Sequence, residues 1–127
     1  MLQLEDTRTT EKIYSYTNTK RTYPVVLLVN EYSASASEIL AGGLSESYGA
    51  TLVGTTTFGK GLVQTPEYLE TGGMIKYSNQ KWLTPDGNWI HEIGIAPDYE
   101  LELEEAYFDN PSDTTDNQLQ KAIELLK

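Results

Sequence analysis

Three serines stand two apart, Ser33, Ser35 and Ser37, in the stretch NEYSASASEILAGG over residues 30–43. Alanines separate them, Glu38 follows, and the aliphatic run Val25–Val29 precedes them. A hydroxyl that a strand delivers to the start of a helix has two uses. It can cap the helix: Ser35-Ala-Ser-Glu38 has the S-x-x-E form in which serine and glutamate satisfy each other's backbone N–H groups, contributing roughly 1 kcal/mol and no chemistry. It can also be a nucleophile, because the free N–H groups and the positive dipole end of the helix stabilise a developing oxyanion. The small alanines beside Ser35 leave room for a substrate backbone. The strand–turn–helix path follows the logic, though not the letters, of a nucleophile elbow.

A serine hydroxyl is a weak nucleophile without a base. The sole histidine, His91, lies in NWIHEIG beside an expected loop, with no partner spacing in its favour, and reads as a surface or structural residue. A lysine serves as base when its amine is uncharged, a form that burial favours. Lys60 is flanked by Gly59 and Gly61 in FGKGLVQ, which permits a tight backbone path; from this segment alone it reads first as an ordinary exposed loop lysine. Gln64, four residues on, has a carbonyl that can accept from an amine and aim it, or is simply a polar residue on a solvent-facing strand.

The elements that must position these groups follow from patterning. Residues 1–10 read as frayed, Lys12–Tyr16 as a strand, and Thr17–Tyr23 as a polar connection. Pro24 opens VVLLV, a continuous apolar run of the kind that a parallel sheet covered on both faces requires. Residues 35–48 place Ala36, Ile39, Leu40, Gly43, Leu44 and Ser47 on one helical face, and Gly49 stands where a C-terminal glycine belongs. Thr51–Gly54 is a second short strand, completing a βαβ unit. Gln64–Leu69 and Met74–Leu83 form a hairpin around Gly72-Gly73, and Pro85-Asp86-Gly87 is a turn. DYELELEEAYFDN alternates and reads as an edge strand with a solvated face. DNPSDTTD is a linker. A final helix carries Leu119, Ala122, Ile123 and Leu126 on one face behind a Thr115…Gln118 capping box.

Composition limits the functions available. The 127 residues suit one domain, and the net charge of −10 argues against nucleic acid, whose phosphates need stripes of Lys and Arg. The acidity is concentrated: nine acidic residues and two lysines lie between Asp98 and Lys127. Without cysteine there are no disulfides, thiolate nucleophiles or cysteine–zinc sites, and one histidine is too few for a multi-histidine metal site. The acidic tail lacks the D-x-D-x-D-G spacing of a calcium loop. No apolar run reaches the ~18 residues of a membrane span, and the N-terminus has no signal-peptide pattern.

Taken together, VNEYSASASEILAGGL and VGTTTFGKGLVQT, followed by TPDGNWIHEIGIAPD and DNQLQKAIELL, resemble the C-terminal processing, or tail-specific, serine proteases of peptidase family S41, over about Tyr23 to Lys127. The resemblance implies a Ser-Lys mechanism with Ser35 as nucleophile, Lys60 as general base, Gln64 orienting it, and the Ala36 amide as one half of the oxyanion hole. Ser33 and Ser37 would be local hydrogen-bonding or packing companions. The implied fold is α/β, a partial ClpP/crotonase-like core with a βαβ unit, a following β-hairpin and a C-terminal helix. The divisions would be residues 1–22 as N-terminal extension and edge strand, 23–109 as the C-terminal part of the protease core, and 110–127 as linker and helix. The implied activity is endoproteolysis near protein C-termini, on protein or peptide substrates, with no metal or organic cofactor, outside the cytoplasm or at the membrane.

Three parts that the family pattern includes are not in this sequence: a PDZ module, an Asp-Leu-Arg-x-Asn-x-Gly-Gly type segment that supplies the second oxyanion amide, and the earlier core elements. The chain alone is therefore expected to be weak or inactive, since one oxyanion donor is worth ~10²–10³ in rate, and prone to self-association through an exposed sheet edge. The rival reading is a non-catalytic peptide-binding domain derived from a protease core. A crotonase-like acyl-CoA enzyme is a third, without a sign of the adenine pocket it needs.

Overall fold

The computed structural model describes residues 2–17, 19 and 21–127. Seven strands and three helices follow one another as β1 (Leu2–Glu5), β2 (Thr10–Ile13), β3 (Val26–Val29), α1 (Ala36–Tyr48), β4 (Thr51–Gly54), β5 (Leu62–Tyr68), β6 (Met74–Leu83), β7 (Tyr99–Glu100), α2 (Glu105–Asp109) and α3 (Asn117–Leu125). They form two sheets, a four-stranded one ordered β2-β1-β6-β5 and a three-stranded one ordered β3-β4-β7. The mixed α/β class and the βαβ unit agree with the sequence reading: β3 and β4 are parallel neighbours joined through α1, with Val26 opposite Thr51 and Val29 opposite Gly54.

The parallel sheet holds the core beneath the serine-rich turn. Val29, Leu52 and Ala41 of α1 form one buried cluster, with Leu27 and Ile95 packed against it. Val53 is fully buried. Both α1 and α3 pack on this sheet. Gly49 ends α1 in the left-handed conformation, and the N–H groups of Gly49 and Ala50 donate to the Ser45 and Leu44 carbonyls, as the sequence led one to expect. The Asp98 carboxylate accepts from the Leu52 N–H at 2.7 Å, while the Asp98 N–H donates to the Leu52 carbonyl at 2.9 Å, which sets the register of β7 on β4.

Four expectations need correction. Residues 2–5 are not frayed: they form β1, which is inserted between β2 and β6, with Leu4 opposite Trp82. Local polarity concealed a strand whose partner lies some eighty positions away. The first strand of the expected 12–16 stretch is displaced to Thr10–Ile13, paired with β1. In α1 the buried face is Glu38, Ala41 and Gly42, not the Ala36/Leu40/Ser47 face; Leu40 is 57% exposed. The helix turns its two smallest buried positions to the sheet and to Thr84 and Ile95, where a Cβ on Gly42 would already meet Thr84 at 3.2 Å. In the acidic segment only Tyr99–Glu100 is a strand, at the sheet edge, and Glu105–Asp109 is helical. In addition, α3 is capped by Asp116, which accepts from the Leu119 N–H at 2.8 Å, one residue after the expected Thr115. The expected connection over residues 17–23 includes Asn18 and Lys20, which lie outside the described residues.

Gly54 ends β4 with φ 131°, and a Cβ there would lie 1.9 Å from the Val29 carbonyl oxygen. Neither β3 nor β4 can move aside without breaking the parallel ladder. Gly54→Ala is therefore expected to destabilise the protein by roughly 2–4 kcal/mol. Urea unfolding checks this, and a loss below about 1 kcal/mol would contradict the account of the β3–β4 contact.

Candidate active site

Ser35 sits between the end of β3 and the start of α1 with φ 56° and ψ −111°, one of two non-glycine residues with positive φ among the described residues. Such a conformation costs about 1–3 kcal/mol and persists only where its surroundings enforce it. The enforcement is visible. The Ser35 N–H donates to Glu38 Oε2 at 2.8 Å, and the Ser35 carbonyl accepts from the N–H groups of Glu38 and Ile39, each at 3.0 Å. Glu38 thus makes its half of the expected capping box. The Glu38 N–H is engaged by the Ser35 carbonyl at 3.0 Å and also faces the Ser35 side chain in the other half of the box. Next to Ser35, the Ala36 N–H has no acceptor among the described residues.

Ser33 braces the same turn. Its hydroxyl accepts from the Asn30 N–H at 3.1 Å, and its carbonyl accepts from the Phe58 N–H at 3.0 Å. The second of these contacts already joins the serine turn to the segment that carries Lys60.

Glu38 is the centre of the arrangement, and its side chain has no access to solvent. Oε1 accepts from Thr57 Oγ1 and from the Gly59 N–H, each at 2.6 Å. Oε2 accepts from the Ser35 N–H and, at 2.9 Å, from the Lys60 N–H. Four donors thus fill the acceptor sites of one buried carboxylate, and no Lys, Arg or His is paired with it among the described residues. Because Oε2 serves both Ser35 and Lys60, their amide nitrogens lie no more than about 6 Å apart. Residues 25 positions apart in sequence are joined through a single oxygen atom.

The glycines around Lys60 have a packing reason. Gly59 has φ 85°, and a Cβ there would lie 2.9 Å from the Gly94 nitrogen; one on Gly61 would lie 2.8 Å from the His91 nitrogen. The loop is pressed onto the turn at residues 90–94, where the Glu92 N–H donates to the Gly59 carbonyl at 2.9 Å. His91 belongs to this packing: Nδ1 lies 3.2 Å from the Gly59 carbonyl, and the ring rests 5.5 Å from that of Trp89. That is a structural position, in keeping with its reading from sequence.

Lys60 is exposed and has no ion-pair partner among the described residues. Gln64 is exposed on β5, immediately after a bulge at Val63/Gln64. No hydrogen bond joins the Lys60 amine to Ser35 or to Gln64. The backbones of Ser35 and Lys60 are brought together through Glu38, with Ala36 next to Ser35, and the side chains of Lys60 and Gln64 are exposed. Sequence reasoning gave Glu38 only a capping role, and it missed Thr57 and Trp82 altogether. The S-x-x-E spacing did point to the Ser35–Glu38 contact, but nothing local signals that the far side of the same carboxylate holds a loop twenty-odd residues away.

The model of peptidase family S41 matches residues 2–101. The carboxy-terminal processing protease CtpA of Bacillus subtilis (strain 168) is 51% identical over 84 residues, which make up 66% of this chain and 18% of that protein. A probable CtpA-like serine protease of Staphylococcus aureus (strain N315) is 41% identical over 105 residues, 80% of this chain and 21% of that protein. Among solved structures, a photosystem II D1 C-terminal processing protease superposes with a TM-score of 0.70 at 37% identity, over 80% of this chain and 27% of that one. A lipoprotein from Streptococcus agalactiae, with a TM-score of 0.71 and 18% identity over 98% of this chain and 43% of that one, shares the fold. The chain spans about a fifth of the length of the curated relatives it matches. A strained serine turn at the end of a parallel strand and a glycine-flanked lysine loop tied to the same buried carboxylate lie within the matched residues, and the chain belongs to peptidase family S41.

Proposed function

We propose that this chain carries the Ser-Lys half of an endopeptidase active site, and that the full-length protein cleaves protein substrates near their C-termini. The observation that carries the proposal is the sharing of Glu38 Oε2 by the Ser35 and Lys60 amides. It is supported by the Ala36 N–H, which has no acceptor among the described residues.

In the proposed reaction Ser35 Oγ attacks the scissile carbonyl carbon while the Lys60 amine takes the hydroxyl proton, which requires the full-length protein with its substrate to bury an amine that is exposed in this chain. The carbonyl oxygen becomes an oxyanion and accepts from the Ala36 N–H, whose donor direction the strained Ser35 conformation fixes before substrate arrives. The protonated amine then delivers its proton to the leaving nitrogen, releasing the new N-terminus and leaving an ester on Ser35. Water attacks that ester with Lys60 again as base, which restores the serine. Gln64 steadies the amine through its side-chain carbonyl once substrate closes the site. The second oxyanion donor comes from outside this chain, so the chain alone turns over weakly or not at all.

The same reading places the full-length protein outside the cytoplasm or at the membrane. Among the described residues, no helix is long and apolar enough to cross a bilayer. Self-association belongs to the same proposal, and what supports it is that, among the described residues, β3 and β7 bound one sheet and β2 and β5 the other.

Three substitutions in the full-length protein test this. Ser35→Ala is expected to abolish peptide cleavage, and labelling by a serine-directed acylating probe with it, at a cost of no more than ~1–2 kcal/mol in stability. Retained cleavage would refute the nucleophile, and a wild-type Ser35 that resists acylation while substrate peptides still bind would favour the non-catalytic reading. Lys60→Arg is expected to be inactive at every pH assayed, because arginine stays protonated; an active Lys60→Arg enzyme would rule out the base. Glu38→Gln puts an NH₂ group against N–H donors. It is expected to cost roughly 2–4 kcal/mol by denaturant unfolding, with about a 100-fold fall in turnover of the folded fraction. Unchanged turnover per folded molecule would show that the shared carboxylate does not position the pair.

A further inference from the structure

The lysine loop is gripped from a second side, by side chains that the proposed mechanism does not use. Three successive carbonyls, those of Gly59, Lys60 and Gly61, each face a ring nitrogen. His91 Nδ1 lies 3.2 Å from the first, Trp82 Nε1 donates to the second at 2.8 Å, and Trp89 Nε1 donates to the third at 3.3 Å. The outer two carbonyls have other donors as well: Glu92 N–H serves Gly59, and Trp82 N–H serves Gly61. Among the described residues the Lys60 carbonyl has only the Trp82 indole. That indole is 2% exposed and lies in β6 of the four-stranded sheet, so its direction is fixed by core packing.

This matters because of what flanks the lysine. Gly59 and Gly61 contribute no Cβ to stiffen the chain, and the Lys60 side chain is exposed, so packing does not hold it. Only hydrogen bonds to the two neighbouring peptide groups can fix the direction in which the side chain leaves the backbone. Glu38 holds the preceding peptide through the Lys60 N–H, and Trp82 holds the following one through the Lys60 carbonyl. We infer that Trp82 is a positioning residue for Lys60: its indole N–H, acting through the Lys60 carbonyl, aims the amine at Ser35. The inference rests on Lys60 being the base.

The test replaces Trp82 in the full-length protein in two ways. Trp82→Phe keeps an apolar ring and removes the N–H. Site-specific incorporation of β-(3-benzothienyl)alanine at position 82 keeps the tryptophan shape, with sulfur in place of the N–H, and protects the experiment against a poorly folding phenylalanine variant. Turnover is measured on a peptide substrate per folded molecule, with the folded fraction taken from circular dichroism, beside Lys60→Ala and the same analogue at position 89. The expected result is a fall in kcat of about 10-fold at position 82 with KM unchanged, and a smaller fall at position 89, whose carbonyl keeps a second donor. A merely structural tryptophan would change the amount of folded enzyme and leave kcat per folded molecule alone. If Lys60→Ala is inactive while the position-82 analogue turns over at the wild-type rate, the positioning role is overturned and the base assignment stands. If Lys60→Ala retains wild-type turnover, both fall together.

Discussion

A carboxylate with no access to water and no cationic partner has to be satisfied by hydrogen bonds alone, and that requirement organises this protein around Glu38. An unpaired charge there would cost many kcal/mol; four well-placed donors remove most of that cost. The donors come from the serine turn, from Thr57 and from the two residues leading into the lysine loop. The electrostatic demand of one buried group therefore becomes a geometric constraint on two segments distant in sequence. Thr57 extends the constraint further, since its hydroxyl also accepts from the Ile95 N–H at 2.8 Å and so ties in the segment leading to β7.

The constraint explains how local strain is tolerated. Ser35 adopts a backbone conformation that serine avoids, and Glu92, in the turn beneath the lysine loop, has φ 62°. Each departs from its preferred geometry by an amount that neighbouring hydrogen bonds offset. Glycine at 59 and 61 lets the loop lie directly on the backbone at residues 91–94. Beside this hydrogen-bonded framework the Ala36 N–H has no acceptor and the Lys60 amine no ion-pair partner among the described residues. Organisation before substrate binds is the condition for electrostatic stabilisation of a transition state, and it is what the proposed site would need from this framework.

Much of this was legible in the sequence because it depends on short-range rules. The apolar run at Val25–Val29, the S-x-x-E spacing, the glycine after Tyr48 and the hairpin around Gly72-Gly73 each specify a local geometry, and each is found. Residues joined only by tertiary structure were not legible. Leu2–Glu5 becomes a strand because β6 offers it an edge, and Leu40 faces outward because Glu38, Ala41 and Gly42 occupy the sheet side of α1. Helical periodicity identified the helix but ranked its faces by hydropathy, and a buried glutamate reverses that ranking. The indole of Trp82 reading out a loop carbonyl leaves no mark in the sequence at all. The candidate serine, lysine and glutamine came from residue chemistry and family resemblance, and the glutamate that joins the backbones of the first two from geometry alone.

The chain spans about a fifth of the length of the curated relatives it matches. The central claim is that the framework around Glu38 delivers the Lys60 amine to the Ser35 hydroxyl. It is tested most directly by the Ser35 Oγ to Lys60 Nζ separation in a crystal structure of the full-length protein. Hydrogen-bond reach, ~2.6–3.2 Å and somewhat longer without substrate, is the expected result. A separation beyond about 6 Å, with the four contacts to Glu38 intact and no room for the lysine to swing across, would contradict it.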